Sequence, residues 1–182
     1  MDSRRPTIAD GWIDKASNHL QMARDHIKSR TRHSEVVESA QECIELSVKS
    51  ALTLLHIQYA PSHGWEQDKK QFAAIAMQIQ ERNLLEKLAA HYLGSTVPLP
   101  RLLFLVNFWA RFYSTAKYGF EAENLASAQE LIHMEEAELA VKHAEECLGA
   151  ASTLRYLAED KLRSLWGEAG NAASHEGTQS AA

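Results

Sequence analysis

Apolar residues along the chain recur at three- and four-residue steps, the spacing that places side chains on one face of an α-helix. An amphipathic helix over residues 10–29 is predicted by the stripe Trp12, Ala16, Leu20, Ala23 and Ile27. Comparable stripes predict further helices over residues 34–59, 66–93, 99–118 and 135–166. Clusters of proline and glycine follow the second and third helices, and Gly119 follows the fourth, so each of these three has a residue typical of a helix end.

Between residues 120 and 133 the pattern is less regular. Ser127 and Glu130 nevertheless have the spacing of a capping box, which predicts a short helix there. No segment of useful length alternates with period two, so no β-sheet is predicted. The sequence therefore predicts an all-α fold, an up-and-down bundle of about five helices. We expect residues 1–167 to form this single domain, and residues 168–182, which lack large apolar side chains, to be a disordered tail.

The composition agrees with one helical domain. The 182 residues are 45% hydrophobic and include only eight glycines and four prolines. The net charge of −5 excludes a general basic coat for nucleic acid, although a local basic patch stays open. No apolar run is long enough to cross a membrane, and none follows the first residues as in a secretory signal, so we expect a cytoplasmic protein. Cys43 and Cys147 lie in apolar stripes and are expected to be core residues.

An arginine, Arg111, interrupts the otherwise apolar segment of the fourth predicted helix. A charge placed among apolar side chains costs free energy unless a partner compensates it. On a continuous helix Arg111 and Tyr118 lie two turns apart on the same face, with Ser114 between them. Lys117 could join Arg111 at one anion-binding site, because arginine binds phosphate through a planar fork and lysine as a point charge.

Alternatively, Arg111 forms an ion pair with a carboxylate inside the bundle. The second predicted helix carries a polar stripe beside its apolar one: Glu38, Glu42, Glu45, Lys49 and His56. This stripe is either a solvated face, with Glu45 and Lys49 as a favourable i, i+4 pair, or it turns Glu45 across the bundle towards Arg111. A carboxylate in that position would compensate the guanidinium with a bidentate pair.

Metal chemistry has little support in the sequence. Dimetal sites in helical bundles need two Glu-x-x-His motifs on different helices, and only the segment from Glu130 to His133 fits. No cysteine–histidine pair has the spacing of a zinc site, and no glycine-rich phosphate loop occurs. We therefore expect neither a metal nor a cofactor.

Four segments, taken in order, resemble the HEPN domain family. They are the stripe from Trp12 to Ala23, Ala40-Gln-Glu-Cys-Ile-Glu-Leu-Ser-Val-Lys-Ser-Ala51, Ala110-Arg-Phe-Tyr-Ser-Thr-Ala-Lys-Tyr118 and Glu135-Glu-Ala-Glu-Leu-Ala-Val-Lys-His-Ala144. The resemblance spans roughly residues 10–160 and implies a four- to five-helix bundle that forms homodimers. Many HEPN proteins are metal-independent RNases of toxin–antitoxin systems. Others bind nucleotides or proteins without catalysis, and many are encoded beside a minimal nucleotidyltransferase with which they form a complex.

The RNase members carry an arginine followed, after four to six residues, by a histidine. If Arg111 is that arginine, the histidine position falls on Ala116, Lys117 or Tyr118. Metal-free RNA cleavage needs a group with a pKa near neutrality to move protons, whereas lysine and tyrosine both titrate near pH 10. The resemblance therefore implies a non-catalytic or weakly catalytic protein. It implies nucleotide or RNA binding at Arg111, Lys117 and Tyr118. From their predicted positions we add Ser114, on the same helix face, and Glu45, across the bundle, to the candidate binding residues.

Two alternatives remain from the sequence. One is a HEPN endoribonuclease in which Arg111 stabilises the reacting phosphate and Lys117 moves the proton, or in which His56 or His63 does so. The other is a structural helical protein whose Arg111 makes the internal pair with Glu45.

Overall fold

The computed structural model describes residues 7–29, 32–60, 64–120 and 126–166, and these residues form helices with no β-strand. The helices are α1 (Ile8–Ile27), α2 (His33–Leu54), α3 (Lys69–Glu81), α4 (Leu84–Ala90), α5 (Leu99–Ala110), α6 (Tyr113–Tyr118), α7 (Ala128–Leu131), α8 (Met134–Arg155) and α9 (Glu159–Leu165), with one 3-10 turn at Trp65–Gln67. The predicted all-α bundle is confirmed. The predicted tail, residues 168–182, lies outside the described residues, as does His63.

The central helix of the bundle is α2, which packs against α1, α5, α6 and α8. It is therefore buried along most of its length, polar side chains included. The small and aliphatic centre of the predicted α1 stripe, Ala16, Leu20 and Ala23, is buried, whereas Trp12 and Ile27 are half-buried against the core. On α8 the alanines and Leu154 are buried in the same way, because both helices turn these faces towards α2. Cys43 and Cys147 are fully buried core residues as predicted, and burial raises the pKa of the Cys43 thiol to about 12. No helix in the described part of the chain is long and apolar enough to cross a bilayer.

Capping boxes begin three of the helices. The Asp10 side chain accepts from the backbone N–H of Thr7 before α1, and Glu130 does the same for Ser127 before α7. Glu136 accepts from the backbone N–H of His133 at 3.0 Å at the start of α8. Each carboxylate satisfies a backbone donor that a helix N-terminus would otherwise leave without a partner. The short helix predicted from the Ser127–Glu130 spacing is thereby confirmed.

The helix predicted over residues 66–93 is wrong in its continuity, since a 3-10 turn, α3 and α4 occupy this stretch. Asn83 adopts a left-handed conformation with φ of 49° between α3 and α4, which ends the first helix and rotates the second. As a result Leu84 is buried, whereas Leu85 and Tyr92 are exposed.

Two other predicted helices, over residues 34–59 and 135–166, also end earlier than expected. The second ends at Arg155 and is followed by the separate helix α9. The first ends at Leu54, where the Arg82 guanidinium donates to the carbonyl oxygens of Leu55 at 2.6 Å and His56 at 3.1 Å. These carbonyls have no intrahelical partner, and a side chain from a distant segment supplies one.

Candidate functional site

The helix predicted over residues 99–118 is divided into α5 and α6, so the predicted continuous helix is wrong at this point. Two side-chain hydrogen bonds connect the 3-10 turn to the end of α5. Gln67 Nε2 donates to the Ala110 carbonyl at 3.0 Å, and Asn107 Nδ2 donates to the Glu66 carbonyl at 2.5 Å. With the Ala110 carbonyl bound from outside, the last turn tightens and α5 ends. The two-turn spacing predicted between Arg111 and Tyr118 is therefore interrupted.

Arg111 lies at this break, and its side chain is exposed. It forms no hydrogen bond or ion pair with any residue that the structure describes. The predicted internal pair between Arg111 and Glu45 is therefore wrong. Its physical basis is absent as well, because an exposed guanidinium stays hydrated and needs no carboxylate to compensate it.

Glu45 instead forms an ion pair within α2. Lys49 Nζ lies 2.6 Å from Glu45 Oε1, and Gln41 Nε2 donates to Glu45 Oε2 at 3.3 Å. All three residues are buried, so the interpretation of the polar stripe as a solvated face is wrong for its members Glu45 and Lys49. Glu45 is thus a core residue, whereas the other predicted site residues are exposed.

Those other residues lie on or next to α6. Lys117 Nζ donates to the Tyr113 hydroxyl at 3.2 Å. It also lies 5.4 Å from the centre of the Tyr113 ring and 5.5 Å from that of the Tyr118 ring. Ser114 and Tyr118 are exposed on the same short helix. The structure therefore brings Lys117 and two tyrosines into one exposed cluster, with Arg111 two residues before the helix begins.

The electrostatics of Lys117 favour binding over proton transfer. The hydrogen bond to the Tyr113 hydroxyl, followed by the charges of Tyr113 and Tyr118, raises the pKa of Lys117 above its ordinary value. A general base at neutral pH needs a lysine pKa lowered towards 7, which is the opposite direction. Lys117 is therefore suited to hold a positive charge against an anion.

The histidines do not supply the missing group at this cluster. The His56 ring stacks on Trp166 with 3.9 Å between ring centres, at the junction of α2 and α9. Burial, with a smaller effect of the Arg82 charge, lowers the pKa of His56. No hydrogen bond, ion pair or ring contact joins His56 to α6 in the described ranges. His63, the other histidine considered, is outside those ranges.

The Glu-x-x-His motif has a structural role. Glu130 caps α7, and the His133 backbone is held by Glu136 at the start of α8. Among the described residues there is no group of three or more histidine, cysteine, aspartate or glutamate side chains placed to hold a metal ion.

A feature that the sequence analysis missed is a cavity of about 320 Å³ beside Arg111. Its lining combines four aromatic rings with aliphatic and two polar side chains: Val37, Phe108, Trp109, Phe112, Thr115, Phe120, Leu131, Ile132, Glu136 and Leu139. The signal in the sequence was the i, i+4 spacing of Phe104, Phe108 and Phe112. The first two lie on α5, and Phe112 follows its end. Adjacent rings in this row lie 5.8 and 5.2 Å apart.

Comparison with known proteins agrees with the resemblance found in the sequence. A family model described as HEPN domain matches residues 9–154, which covers most of the chain and extends from α1 almost to the end of α8. No match was found among curated proteins or among solved structures. Since the family match takes in the bundle and the whole segment from Arg111 to Tyr118, the chain belongs to the HEPN domain family.

Proposed function

We propose that this HEPN protein binds the phosphate groups of a nucleotide or RNA through Arg111, Ser114, Lys117 and Tyr118, and that it is non-catalytic or weakly catalytic. The observation that carries the proposal is the exposed cluster on α6 beside an exposed Arg111 that no described residue pairs with. Membership of the HEPN family supports a nucleotide- or RNA-related role in general.

Each side chain suits a different part of such a ligand. The Arg111 guanidinium can grip a phosphate with two parallel N–H donors, and Lys117 adds a point charge. The Ser114 hydroxyl can donate a further hydrogen bond. Tyr118, 57% exposed, offers a face on which a base can stack.

Weak or absent catalysis follows from the side chains at the expected histidine positions. Ala116 is buried and has no titratable group, and the raised pKa of Lys117 keeps that residue protonated. Arg111 alone can stabilise a phosphorane but cannot shuttle protons at neutral pH. A metal-independent endoribonuclease, with Lys117 or a histidine as the shuttle, is the alternative that the same experiment tests.

We further propose that the protein is a cytoplasmic homodimer of a toxin–antitoxin or nucleotidyltransferase-associated system, with a minimal nucleotidyltransferase as a partner. An apolar strip on α5 and α8 supports the homodimer. Phe104, 55% exposed, stacks on Phe108, and Phe108 lines the same cavity as Leu139, which is 41% exposed. Such side chains at the surface mark an interaction site when they lie together. If this strip holds the dimer, Phe104→Ser should shift the sedimentation coefficient to that of a monomer. An unchanged coefficient would contradict the proposed interface.

The binding proposal is tested with single-stranded RNA and a filter-binding or anisotropy assay at several salt concentrations. Arg111→Ala should weaken binding by roughly 10- to 100-fold. Losing one phosphate contact should also reduce the slope of log K against log salt by about 0.7. Lys161→Ala is the control, because it removes one positive charge from another exposed side chain, on α9 instead of beside α6.

Equal losses for Arg111→Ala and Lys161→Ala would overturn the proposed site, since only net charge would then matter. Incubating the same RNA without metal tests the alternative. Cleavage by the native protein that Arg111→Ala abolishes would show an endoribonuclease.

A further inference from the structure

The cavity beside Arg111 has a buried floor and an aromatic wall. Val37 of α2, Trp109 of α5 and Ile132 before α8 are buried and form the floor. Phe112 and Phe120 line it with partly exposed rings. Its volume of about 320 Å³ is at the small end of the range for ligand pockets, which suits one flat ring system rather than a larger ligand.

The aromatic wall is preformed by packing within the protein. The Phe112 ring lies 5.2 Å from the Phe108 ring and 5.8 Å from the Trp109 ring. The backbone of Phe120 is held separately, because its N–H donates to the Ala126 carbonyl at 2.8 Å. Aromatic side chains arranged in this way provide a stacking platform for a nucleobase.

Few polar groups line the cavity, and one of them is a carboxylate. The lining residues carry three side-chain polar groups: the Thr115 hydroxyl, the Trp109 indole N–H, which donates to His143 Nδ1, and the Glu136 carboxylate. Its Oε2 accepts from the His133 backbone N–H at 3.0 Å, and its Oε1 has no partner within the described ranges. A carboxylate only accepts hydrogen bonds, so it selects a ligand edge that presents donors.

We propose that this cavity binds a guanine base, with the aromatic rings stacking on it and Glu136 accepting hydrogen bonds from its N1–H and N2–H₂ groups. The proposal rests on the proposed function, and it names the nucleotide class. Guanine presents two adjacent donors on its Watson–Crick edge, which match the two oxygens of a carboxylate. Adenine and the pyrimidines present fewer donors there, next to an acceptor that a carboxylate repels.

The position of Arg111 agrees with this arrangement. Arg111 directly precedes Phe112, so their Cα atoms are about 3.8 Å apart, and the Arg111 side chain is exposed. A guanine nucleotide seated in the cavity would therefore carry its phosphate towards the exposed cationic segment.

The test is a calorimetric titration of the full chain with GMP, IMP and AMP, which present two, one and no such ring-edge donors at N1 and C2. GMP should bind about 10-fold or more tightly than AMP, with IMP between them. Glu136→Gln should reduce the GMP preference to within about 2-fold, because an amide offers only one acceptor oxygen. Glutamine also fits the third position of a capping box, so α8 keeps its cap.

Glu130→Gln is the matched control. Glu130 has the same capping role at α7 as Glu136 has at α8, but it does not line the cavity. The proposal expects this variant to retain the full GMP preference. Equal loss in the two variants would overturn it, because a capping effect would then explain both.

Other results separate this proposal from the proposed function. Equal affinity for the three nucleotides, lost in Arg111→Ala and unchanged in Glu136→Gln, would overturn the guanine site while leaving the phosphate site standing. No GMP binding at millimolar concentration, with RNA still bound through Arg111, would overturn the guanine site too. A sedimentation change in Glu136→Gln without any loss of GMP binding would assign this cavity to a second copy of the chain.

Discussion

Lys49 Nζ lies 2.6 Å from Glu45 Oε1 inside the central helix, and both side chains are about 7% exposed. The i, i+4 spacing that usually produces a weak surface pair here produces a buried one. Because α2 is covered on several sides, these two charges share an environment of low dielectric. In such an environment each depends strongly on the other.

Replacing Glu45 by Gln should therefore lower the free energy of unfolding by about 3–5 kcal/mol, because Lys49 would keep a buried charge without its counter-ion. Urea denaturation measures this change. Glu145→Gln is the control, since Glu145 pairs with Arg24 on the surface, where both side chains are more than 40% exposed. That variant should lose less than about 1 kcal/mol. Equal losses would mean that the pair of Glu45 and Lys49 contributes no more than a surface pair.

Gly119 should not tolerate a side chain. Its φ of 58° is unfavourable for other residues, and an added Cβ would overlap the Ala128 backbone nitrogen. We expect Gly119→Ala to destabilise the protein by at least about 1–2 kcal/mol, as measured by thermal unfolding. Gly149→Ala, within α8 and with nothing near the new Cβ, should instead stabilise by about 0.5–1 kcal/mol. Similar effects of the two changes would contradict the tight turn at Gly119.

Stability should fall in mild acid through His143. Trp109 Nε1 donates to His143 Nδ1 at 3.0 Å, and burial, followed by the charge of Arg101, lowers the pKa of His143 below its ordinary value of 6.5. The unfolded chain therefore binds this proton at a higher pH than the folded chain. The contribution of neutral His143 to the free energy of unfolding is complete above about pH 6.5. It is lost as the pH falls from there towards the pKa of His143 in the folded state.

The measurement is the urea midpoint between pH 8 and pH 5 for the native protein and for His143→Asn. Asparagine keeps an acceptor near the Nδ1 position without a titrating ring, so the decrease in acid should become smaller. A remaining decrease is expected from His56, whose pKa is lowered in the same direction. An unchanged pH profile in His143→Asn would contradict this role.

The fold class and the buried stripes followed from the sequence, whereas the helix ends did not. Periodicity reports which face of a helix is apolar, and this was sufficient for α1, α2 and α8. The ends of α2 and α5 depend on Arg82 and Gln67, side chains from remote segments that bind the last carbonyls. Such long-range partners leave no local pattern, so the sequence predicted helices that were too long.

Only part of the candidate site could be predicted, because its geometry also depends on contacts between distant segments. Arg111 stood out as a charge in an apolar segment, but its exposure depends on a helix break that local propensity does not show. The assignment of Glu45 as its partner assumed an unbroken helix. The cavity could be anticipated only as a row of phenylalanines, because its floor comes from three elements that are distant in the chain.

Arg82 has a consequence for the order in which the molecule is assembled. Its guanidinium donates to the carbonyl of Leu55 near the end of α2 and also to that of Leu165 at the end of α9, at 3.2 Å. During synthesis from the N-terminus, the first of these hydrogen bonds can form long before the second. Helix α9 is the last of the described helices to be synthesised, so α4, against which it packs, and Arg82 are available before it. It lies beyond the residues that the family model matches. The HEPN core then serves as the template on which the last helix folds.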